Sequence, residues 1–272
     1  MLKQRVITAF ILGGLVVWGI LMLPAIWFGA ALLFIMTFGA WEWSGLLGLS
    51  RPAGPILYCL LVAALIALMW LLAGYKTFLW AAIWLSFAYW CCVLVWLWRY
   101  AVDPRMRASV LTLKLAGLVV LVAPWIALME LRQAPEFGAA YVLFLMLVVW
   151  IADSAAYFAG RRWGRRKLAP RISPGKTREG VYGALAATLI VTLAGCAVLN
   201  LDVPQWPLFI LVSMVTVVFS IIGDLFESMV KRQRGVKDSG SLLPGHGGLL
   251  DRVDSLTAAA PVFLLGLKGF AD

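Results

Sequence analysis

Charge is scarce in this chain. Lysine, arginine, aspartate and glutamate make up 13% of its 272 residues, whereas a soluble globular domain carries about 25%. Histidine occurs once and cysteine four times, and the cysteines lie in apolar runs without the spacing of metal ligands. We therefore expect the four cysteines to be buried packing residues. The composition excludes a soluble globule, and the cysteine spacing gives no indication of a zinc centre.

Apolar runs dominate instead. Hydrophobic residues account for 63% of the chain, and runs long enough to cross a bilayer core of roughly 30 Å recur from end to end. These runs do not alternate between polar and apolar residues, which argues against a closed β-barrel. The sequence predicts an all-α polytopic membrane protein with spans at 6–23, 26–47, 55–74, 77–98, 109–129, 137–160, 180–200, 206–230 and 253–270.

The boundary between the first two spans is the least sharp, because only Leu23-Pro24 separates them. Proline could instead kink one long helix, although a run of about 40 residues is too long for a single crossing. We expect one membrane domain over 1–272, in which residues 1–130 form scaffold helices with lipid and dimer contacts. Residues 137–272 would carry the catalytic helices and loops.

Positive charge is distributed unevenly along this topology. With the amino terminus inside, all of the 23 lysines and arginines except Lys76, Arg132 and Lys268 fall on the inner side. The positive-inside rule then places the amino terminus and both long charged loops in the cytosol. The net charge of +10 has two explanations, this rule together with an anionic inner leaflet, or attraction of an anionic substrate.

Three carboxylates, Asp153, Asp224 and Glu227, lie within apolar helices or at their inner ends. Each would cost at least about 2–3 kcal/mol at mid-bilayer, so we expect them to face a wet cavity or a cation. The alternative is a structural role as partners of a buried lysine or arginine.

Helical spacing groups the polar side chains. Positions i, i+3, i+4 and i+7 share one stripe of the eighth helix, and they hold Asp224, Glu227, Ser228 and Lys231. Asp153 begins a similar stripe on the sixth helix, and Asp251 and Asp254 stand at i and i+3 where the ninth begins. Carboxylates that converge without cysteine favour a hard oxygen-donor site, which suits Mg²⁺ better than zinc.

The loop between the eighth and ninth helices combines basic residues with a Gly-His-Gly-Gly run at 245–248. Glycines let the backbone approach a ligand and present amides to phosphate oxygens. Carboxylates for Mg²⁺, cationic side chains and backbone donors are what a nucleoside triphosphate requires. An ordinary cytosolic loop is the alternative, but it does not account for the interleaved carboxylates. For His246, general acid–base chemistry and a loop-structuring role both stay open.

The segment 173–180 contains Gly-Lys-Thr, the end of a P-loop motif, but Pro170 stands where the earlier glycine is required. A P-loop is therefore excluded. Ser173 could instead cap a helix with Pro174 at its first position. Lys176 and Arg178 would then lie near a helix amino end, which favours phosphate.

The loop residues resemble a known family, the bacterial phosphatidate cytidylyltransferases or CDP-diacylglycerol synthases. The resemblance lies in Ser228-x-Val230-Lys231-Arg232, Lys237-Asp238-x-Gly240 and Leu243-Pro244-x-His246-Gly247-Gly248-Leu249-x-Asp251-Arg252-Val253-Asp254, with Ser-Pro-x-Lys-Thr-x-Glu-Gly at 173–180 as a second motif. It implies that CTP and phosphatidate give CDP-diacylglycerol and pyrophosphate with a divalent metal, in a homodimer of the bacterial inner membrane that binds no nucleic acid. Asp224 and Asp251 would hold the metal, with Asp153 as a further ligand, and a second cation stays open.

The resulting set of candidate site residues has three parts. The catalytic residues are Asp224, Asp251, Lys237 and Asp238, and the metal ligands are Asp224, Asp251 and Asp153. The substrate-binding residues are Lys176, Arg178, Ser228, Lys231, Arg232, Gly245, His246, Gly247, Gly248 and Arg252.

Two other functions stay open at this point. An enzyme of the same chemistry could act on a different polyprenyl or ether-lipid phosphate. A cation-coupled transporter could also hold buried Asp153 and Asp224, but it would carry its charge at mid-span rather than in loops. The Asp-x-x-Asp-Gly-x-x-Ala-Arg pattern expected of a CDP-alcohol phosphotransferase is absent.

Overall fold

The structure, a computed structural model, describes residues 2–49, 53–133, 138–242 and 247–271. These residues form nine α-helices: α1 (Leu2–Met22), α2 (Ala25–Leu47), α3 (Ala53–Leu71), α4 (Lys76–Val102), α5 (Val110–Gln133), α6 (Gly138–Trp163), α7 (Arg178–Val198), α8 (Trp206–Arg234) and α9 (Leu250–Ala271). Seven of the helices, α2 to α8, are long and apolar enough to cross a membrane. The predicted all-α, multi-pass architecture is confirmed.

Pro24 separates the first two helices, because α1 ends at Met22 and α2 begins at Ala25. Pro24 itself is extended, with φ −53° and ψ 150°. The alternative of one kinked helix across this position is therefore wrong.

A short antiparallel hairpin lies between α6 and α7, and it was not predicted. It consists of β1 (Lys167–Ala169) and β2 (Ser173–Thr177). The predicted helix start at Ser173 is wrong, because α7 begins only at Arg178. Thr177 is its cap, and its Oγ1 accepts a hydrogen bond from the Gly180 amide at 3.1 Å. Proline fits this two-stranded hairpin since an edge strand can leave one amide position unpaired.

The hairpin is attached to two helices. Arg171 Nη1 donates to the carbonyls of Ala101 at 2.9 Å and Val102 at 2.6 Å, which are among the last carbonyls of α4 and lack intrahelical donors. Arg232 of α8 donates from Nε to the Ile172 carbonyl at 3.3 Å. The hairpin therefore has a fixed position against the helices.

Helix α9 is the central element of the bundle. Every residue from 255 to 264 is buried, and α9 packs against α8 and α5. Its interior consists largely of small side chains, which let neighbouring helices approach closely. The start of α9 adjoins this core, and its polar side chains contact neighbouring helices: Asp251 accepts from Lys231 of α8, and Ser255 donates to Asp153 of α6.

The expectation for the cysteines is only partly met. Cys196 is buried and Cys59 half-buried, but Cys91 and Cys92 are exposed on α4. A thiol behaves as a small hydrophobic group, so the outer face of an apolar helix accommodates it as readily as a core does.

Candidate active site

One cavity of about 630 Å³ opens where α6, the hairpin, the start of α7, α8 and the start of α9 meet. Its lining combines anionic and cationic side chains: Asp153, Arg161, Lys167, Lys176, Asp224, Lys231, Asp238, Asp251, Arg252 and Asp254. Seven of the predicted site residues are among them: Asp153, Lys176, Asp224, Lys231, Asp238, Asp251 and Arg252. Residues from separate helices and loops are thus brought to one site.

Asp224 joins α8 to the hairpin. Its Oδ2 lies 2.6 Å from the ammonium of Lys176, and its Oδ1 accepts a hydrogen bond of 3.3 Å from the Ser228 hydroxyl one turn along α8. Both side chains of the ion pair are about a quarter exposed. This carboxylate is therefore within reach of a ligand in the cavity.

Lys231 forms the second ion pair and is much less accessible. Its ammonium lies 2.5 Å from Asp251 Oδ1 and 3.1 Å from Glu227 Oε1, and its side chain is 9% exposed. The predicted stripe on α8 places Glu227 and Lys231 at i and i+4, which brings their charges together. The structure gives Glu227 the role that the sequence left as the alternative, a partner for a buried lysine.

Asp251 is the most completely bonded carboxylate of the site. Besides Lys231, it accepts hydrogen bonds at Oδ2 from the backbone amides of Ser239 at 3.0 Å and Gly248 at 2.9 Å. Burial of the carboxyl opposes its ionisation, but these donors and the lysine charge outweigh burial and lower its pKa to about 2. Gly247 enters this turn with φ +82°, which side chains rarely adopt.

Asp153 and Asp254 complete the acidic part of the cavity. Ser255 connects them, because its hydroxyl donates to Asp153 Oδ2 at 3.5 Å and its amide to Asp254 Oδ1 at 2.7 Å. Asp254 was not among the predicted site residues. Its position three residues after Asp251, on the same face of the helix, could have indicated it.

Other predicted residues lie beside the cavity rather than in its lining. Ser228 and Gly248 bond to the carboxylates of the site, whereas Arg178, Arg232 and Lys237 are exposed and do not line the cavity. The guanidinium of Arg232 binds backbone carbonyls instead. Gly245 and His246 lie outside the described residues.

Besides Asp254, sequence reasoning missed three residues of this region. Arg161 and Lys167 line the cavity, but in the sequence they are indistinguishable from the other basic residues of their loop. Glu42 of α2 is 6% exposed and accepts hydrogen bonds from the amides of Leu249 and Leu250 at 2.9 and 2.7 Å. A carboxylate inside an apolar helix was the signal, and it applied to Glu42 as well as to Asp153.

The donor set suits a hard cation. The cavity offers four aspartate carboxylates besides Asp238 and no thiol or imidazole from the described residues. No three histidine, cysteine, aspartate or glutamate side chains within the described ranges are placed to hold a metal ion by themselves. Mg²⁺ commonly binds through one or two carboxylates and completes its coordination with substrate phosphates and water. The residues therefore fit a magnesium ion that is shared with a phosphorylated substrate.

A sequence profile described as "Cytidylyltransferase family" matches residues 3–270. The chain belongs to the cytidylyltransferase family. The resemblance seen in the loop motifs is thus confirmed across the whole chain.

Curated members of this family include similar bacterial proteins, each named phosphatidate cytidylyltransferase. The protein of Pseudomonas aeruginosa is 41% identical over 266 residues, which cover 97% of this chain and 96% of the relative. That of Haemophilus influenzae is 36% identical over 97% of both chains. That of Bacillus subtilis is 41% identical over 158 residues, 56% of this chain and 58% of the relative.

Proposed function

We propose that this cytidylyltransferase moves the cytidylyl group of CTP to phosphatidate and releases pyrophosphate, so that the lipid product is CDP-diacylglycerol for phospholipid synthesis. The observation that carries the proposal is the single cavity in which the Lys176–Asp224 and Lys231–Asp251 pairs lie together. A substrate with several phosphates needs cationic side chains that bind the phosphates and carboxylates that hold the accompanying metal ion, and both must lie at one place. The names of the full-length relatives agree with this substrate pair.

The reaction forms one bond and breaks one. An oxygen of the lipid phosphate attacks the α-phosphorus of CTP. The bond from that phosphorus to the oxygen that joins it to the β-phosphorus breaks in line with the attack, and this oxygen leaves with pyrophosphate. The attacking oxygen is already anionic, so no strong general base is needed. Catalysis then consists of positioning the two phosphates and neutralising their charge.

Asp224 and Asp251, with Asp153 nearby, are the residues that would hold Mg²⁺. A bound magnesium ion would neutralise phosphate charge and lower the barrier to displacement. Asp251 is held in one orientation by its amide donors. Asp224 is less buried, and its partner Lys176 can exchange a carboxylate for a phosphate oxygen.

The cationic residues divide into accessible and inaccessible groups. Lys176, Lys167, Arg161 and Arg252 face the cavity, and we assign them to the phosphates of the two substrates. Lys231 is occupied by two carboxylates, so we assign it to holding Asp251. Lys237 and Arg178 would act on a substrate that extends beyond the cavity mouth.

The site belongs on the cytosolic side of a bacterial inner membrane, where CTP is available. The three cations expected outside support this orientation, since they share the opposite end of the bundle. Lys76 pairs with Glu130 at 2.8 Å, Arg132 donates to the Leu23 carbonyl at 3.0 Å, and Lys268 lies 4.5 Å from the Trp80 ring. Helix α9 runs from the cavity to this end.

A direct assay tests the proposal. Purified protein in mixed micelles is incubated with CTP labelled at the α-phosphate, phosphatidate and Mg²⁺, and both the lipid fraction and pyrophosphate are measured. Equal amounts of labelled lipid and pyrophosphate are expected. A panel of polyprenyl and ether-lipid phosphates tests the lipid, and absence of labelled lipid with every acceptor would contradict the function. Light scattering in detergent tests the homodimer, which the family resemblance implies.

A further inference from the structure

Glu42 is a buried carboxylate that lies outside the cavity but contacts the loop that completes it. It stands on α2 with 6% of its surface exposed. Its Oε2 accepts from the Ser239 hydroxyl at 3.0 Å and from the Leu250 amide at 2.7 Å, and its Oε1 accepts from the Leu249 amide at 2.9 Å. Within the described part of the chain, its partners are these three neutral donors.

The two amide contacts fix the start of α9. The first amides of a helix have no intrahelical acceptor, and a carboxylate there also suits the helix dipole. Leu250 is the first residue of α9, and Asp251 follows it. Glu42 therefore supplies from a distant helix the cap that sets where this turn begins.

Ser239 extends the contact to Asp251. Its hydroxyl donates to Glu42 while its amide donates to Asp251 Oδ2 at 3.0 Å. The Gly248 amide, which precedes the two amides bound by Glu42, donates to the same oxygen of Asp251 at 2.9 Å. Both backbone donors that orient Asp251 thus lie next to groups that Glu42 holds.

Gly240 shows how closely the loop is fitted to this carboxylate. A Cβ atom at position 240 would lie 2.5 Å from Glu42 Oε1, 2.9 Å from its Cδ and 3.2 Å from its Cγ. Gly240 is not among the glycines with a positive φ, so its backbone would accept a side chain. Space taken by Glu42 is therefore the reason for glycine at this position.

We propose that Glu42 is a positioning residue for the transferase site, which holds Asp251 in place through Ser239 and the first turn of α9. This inference rests on the proposed activity. It assigns Glu42 no contact with substrate, and it explains why an amino-terminal helix contributes to a site built from the second half of the chain.

The first test is kinetic. Glu42→Gln keeps the side-chain volume but replaces one acceptor oxygen with the NH₂ of a carboxamide, which cannot accept a hydrogen bond from a backbone amide. We expect kcat to fall about 10- to 100-fold, the usual effect of removing the support of a metal-binding or catalytic group, with KM for CTP changed by less than about threefold. Gly45→Ala is the control. Gly45 lies on the same helix as Glu42, and a Cβ there would meet nothing within 4 Å. Full kcat in Glu42→Gln would overturn the proposal.

The second test separates positioning from folding. Gly240→Ala should lower kcat in the wild-type background, where its Cβ meets Glu42. In an E42A background that space is free, and the added Gly240→Ala substitution should cost less than about twofold. Equal losses in both backgrounds would show that the two residues do not act together and would contradict the proposal. The unfolding midpoint of each variant in detergent is measured alongside, and a loss of kcat that merely follows loss of folded protein also counts against it.

The third test does not depend on turnover. Lys237 is exposed in the loop that Ser239 anchors, so trypsin should cleave after Lys237 faster in Glu42→Gln than in wild type or Gly45→Ala. If wild type makes no CDP-lipid, the proposed activity fails while this measurement still tests Glu42. An unchanged cleavage rate would show that Glu42 does not hold the loop.

Discussion

The ammonium of Lys176 lies 2.6 Å from Asp224 and joins the hairpin to α8. The two side chains are 26% and 27% exposed, whereas those of Lys231 and Asp251 are 9% and 7% exposed. Both pairs line the cavity, but the Lys176–Asp224 pair is accessible, whereas the Lys231–Asp251 pair is largely buried. The accessible pair can exchange partners during a reaction, whereas in the buried pair Lys231 holds Asp251 in position.

The accessible pair should control turnover. In Asp224→Asn the carboxamide has no negative charge, so it cannot neutralise Lys176 and binds a divalent cation much more weakly; we expect kcat to fall about 100-fold or more, even in excess Mg²⁺. Lys176→Met should raise KM for the phosphorylated substrates as well. The labelled-CTP assay measures both, and a near-normal rate in Asp224→Asn would refute its assignment as a metal ligand.

Lys231, the cation of the buried pair, should control stability. Lys231→Met leaves Glu227 and Asp251 as buried carboxylates without their cation, which costs about 3–5 kcal/mol for pairs of this kind. We expect a clearly lower midpoint of thermal unfolding in detergent. Lys237→Met is the matched control because Lys237 is exposed in the adjoining loop, and its midpoint should not change. Equal midpoints for the two variants would contradict the structural role of Lys231.

Metal removal should stop the reaction without unfolding the protein. The described residues provide no complete metal cage, so a magnesium ion shared with substrate adds little to the stability of the free enzyme. EDTA is expected to abolish lipid labelling, and added Mg²⁺ should restore it. The unfolding midpoint without substrate should be the same with and without EDTA. Labelling that persists after exhaustive chelation would exclude the metal-dependent mechanism.

Close packing in the amino-terminal helices gives a separate stability prediction. A Cβ at Gly117 of α5 would lie 2.3 Å from both Trp43 Nε1 and Tyr58 Oη, each of which donates to an α5 carbonyl. Gly117→Ala should destabilise the fold by about 1–3 kcal/mol, the range for overpacking a core. Gly14→Ala, where a Cβ meets nothing within 4 Å, should leave the unfolding midpoint unchanged or slightly higher.

Local periodicity accounts for what the sequence could predict. The stripe from Asp224 to Lys231 depends only on helical repeat, and the structure has the contacts of Ser228 with Asp224 and of Lys231 with Glu227, each at one turn's spacing. The lengths of the apolar runs likewise predicted the helices. The break at Pro24 was predicted because the run around it is too long for a single crossing. The hairpin could not be predicted because three- and five-residue strands are too short to show alternation. The partners of Glu42 lie about 200 positions away in the chain, and no local pattern indicates such a contact.

The attachment of the hairpin bears on how tightly an anion can be held. Arg171 fastens it to the end of α4, Arg232 to α8, and Lys176 connects it to Asp224. Immobilising a flexible side chain or loop on binding costs about 0.5–1.5 kcal/mol for each rotamer-rich group. A strand that is already fixed at three points avoids most of that entropy loss. The hairpin is therefore a preorganised wall, and it can hold a phosphate without first having to fold around it.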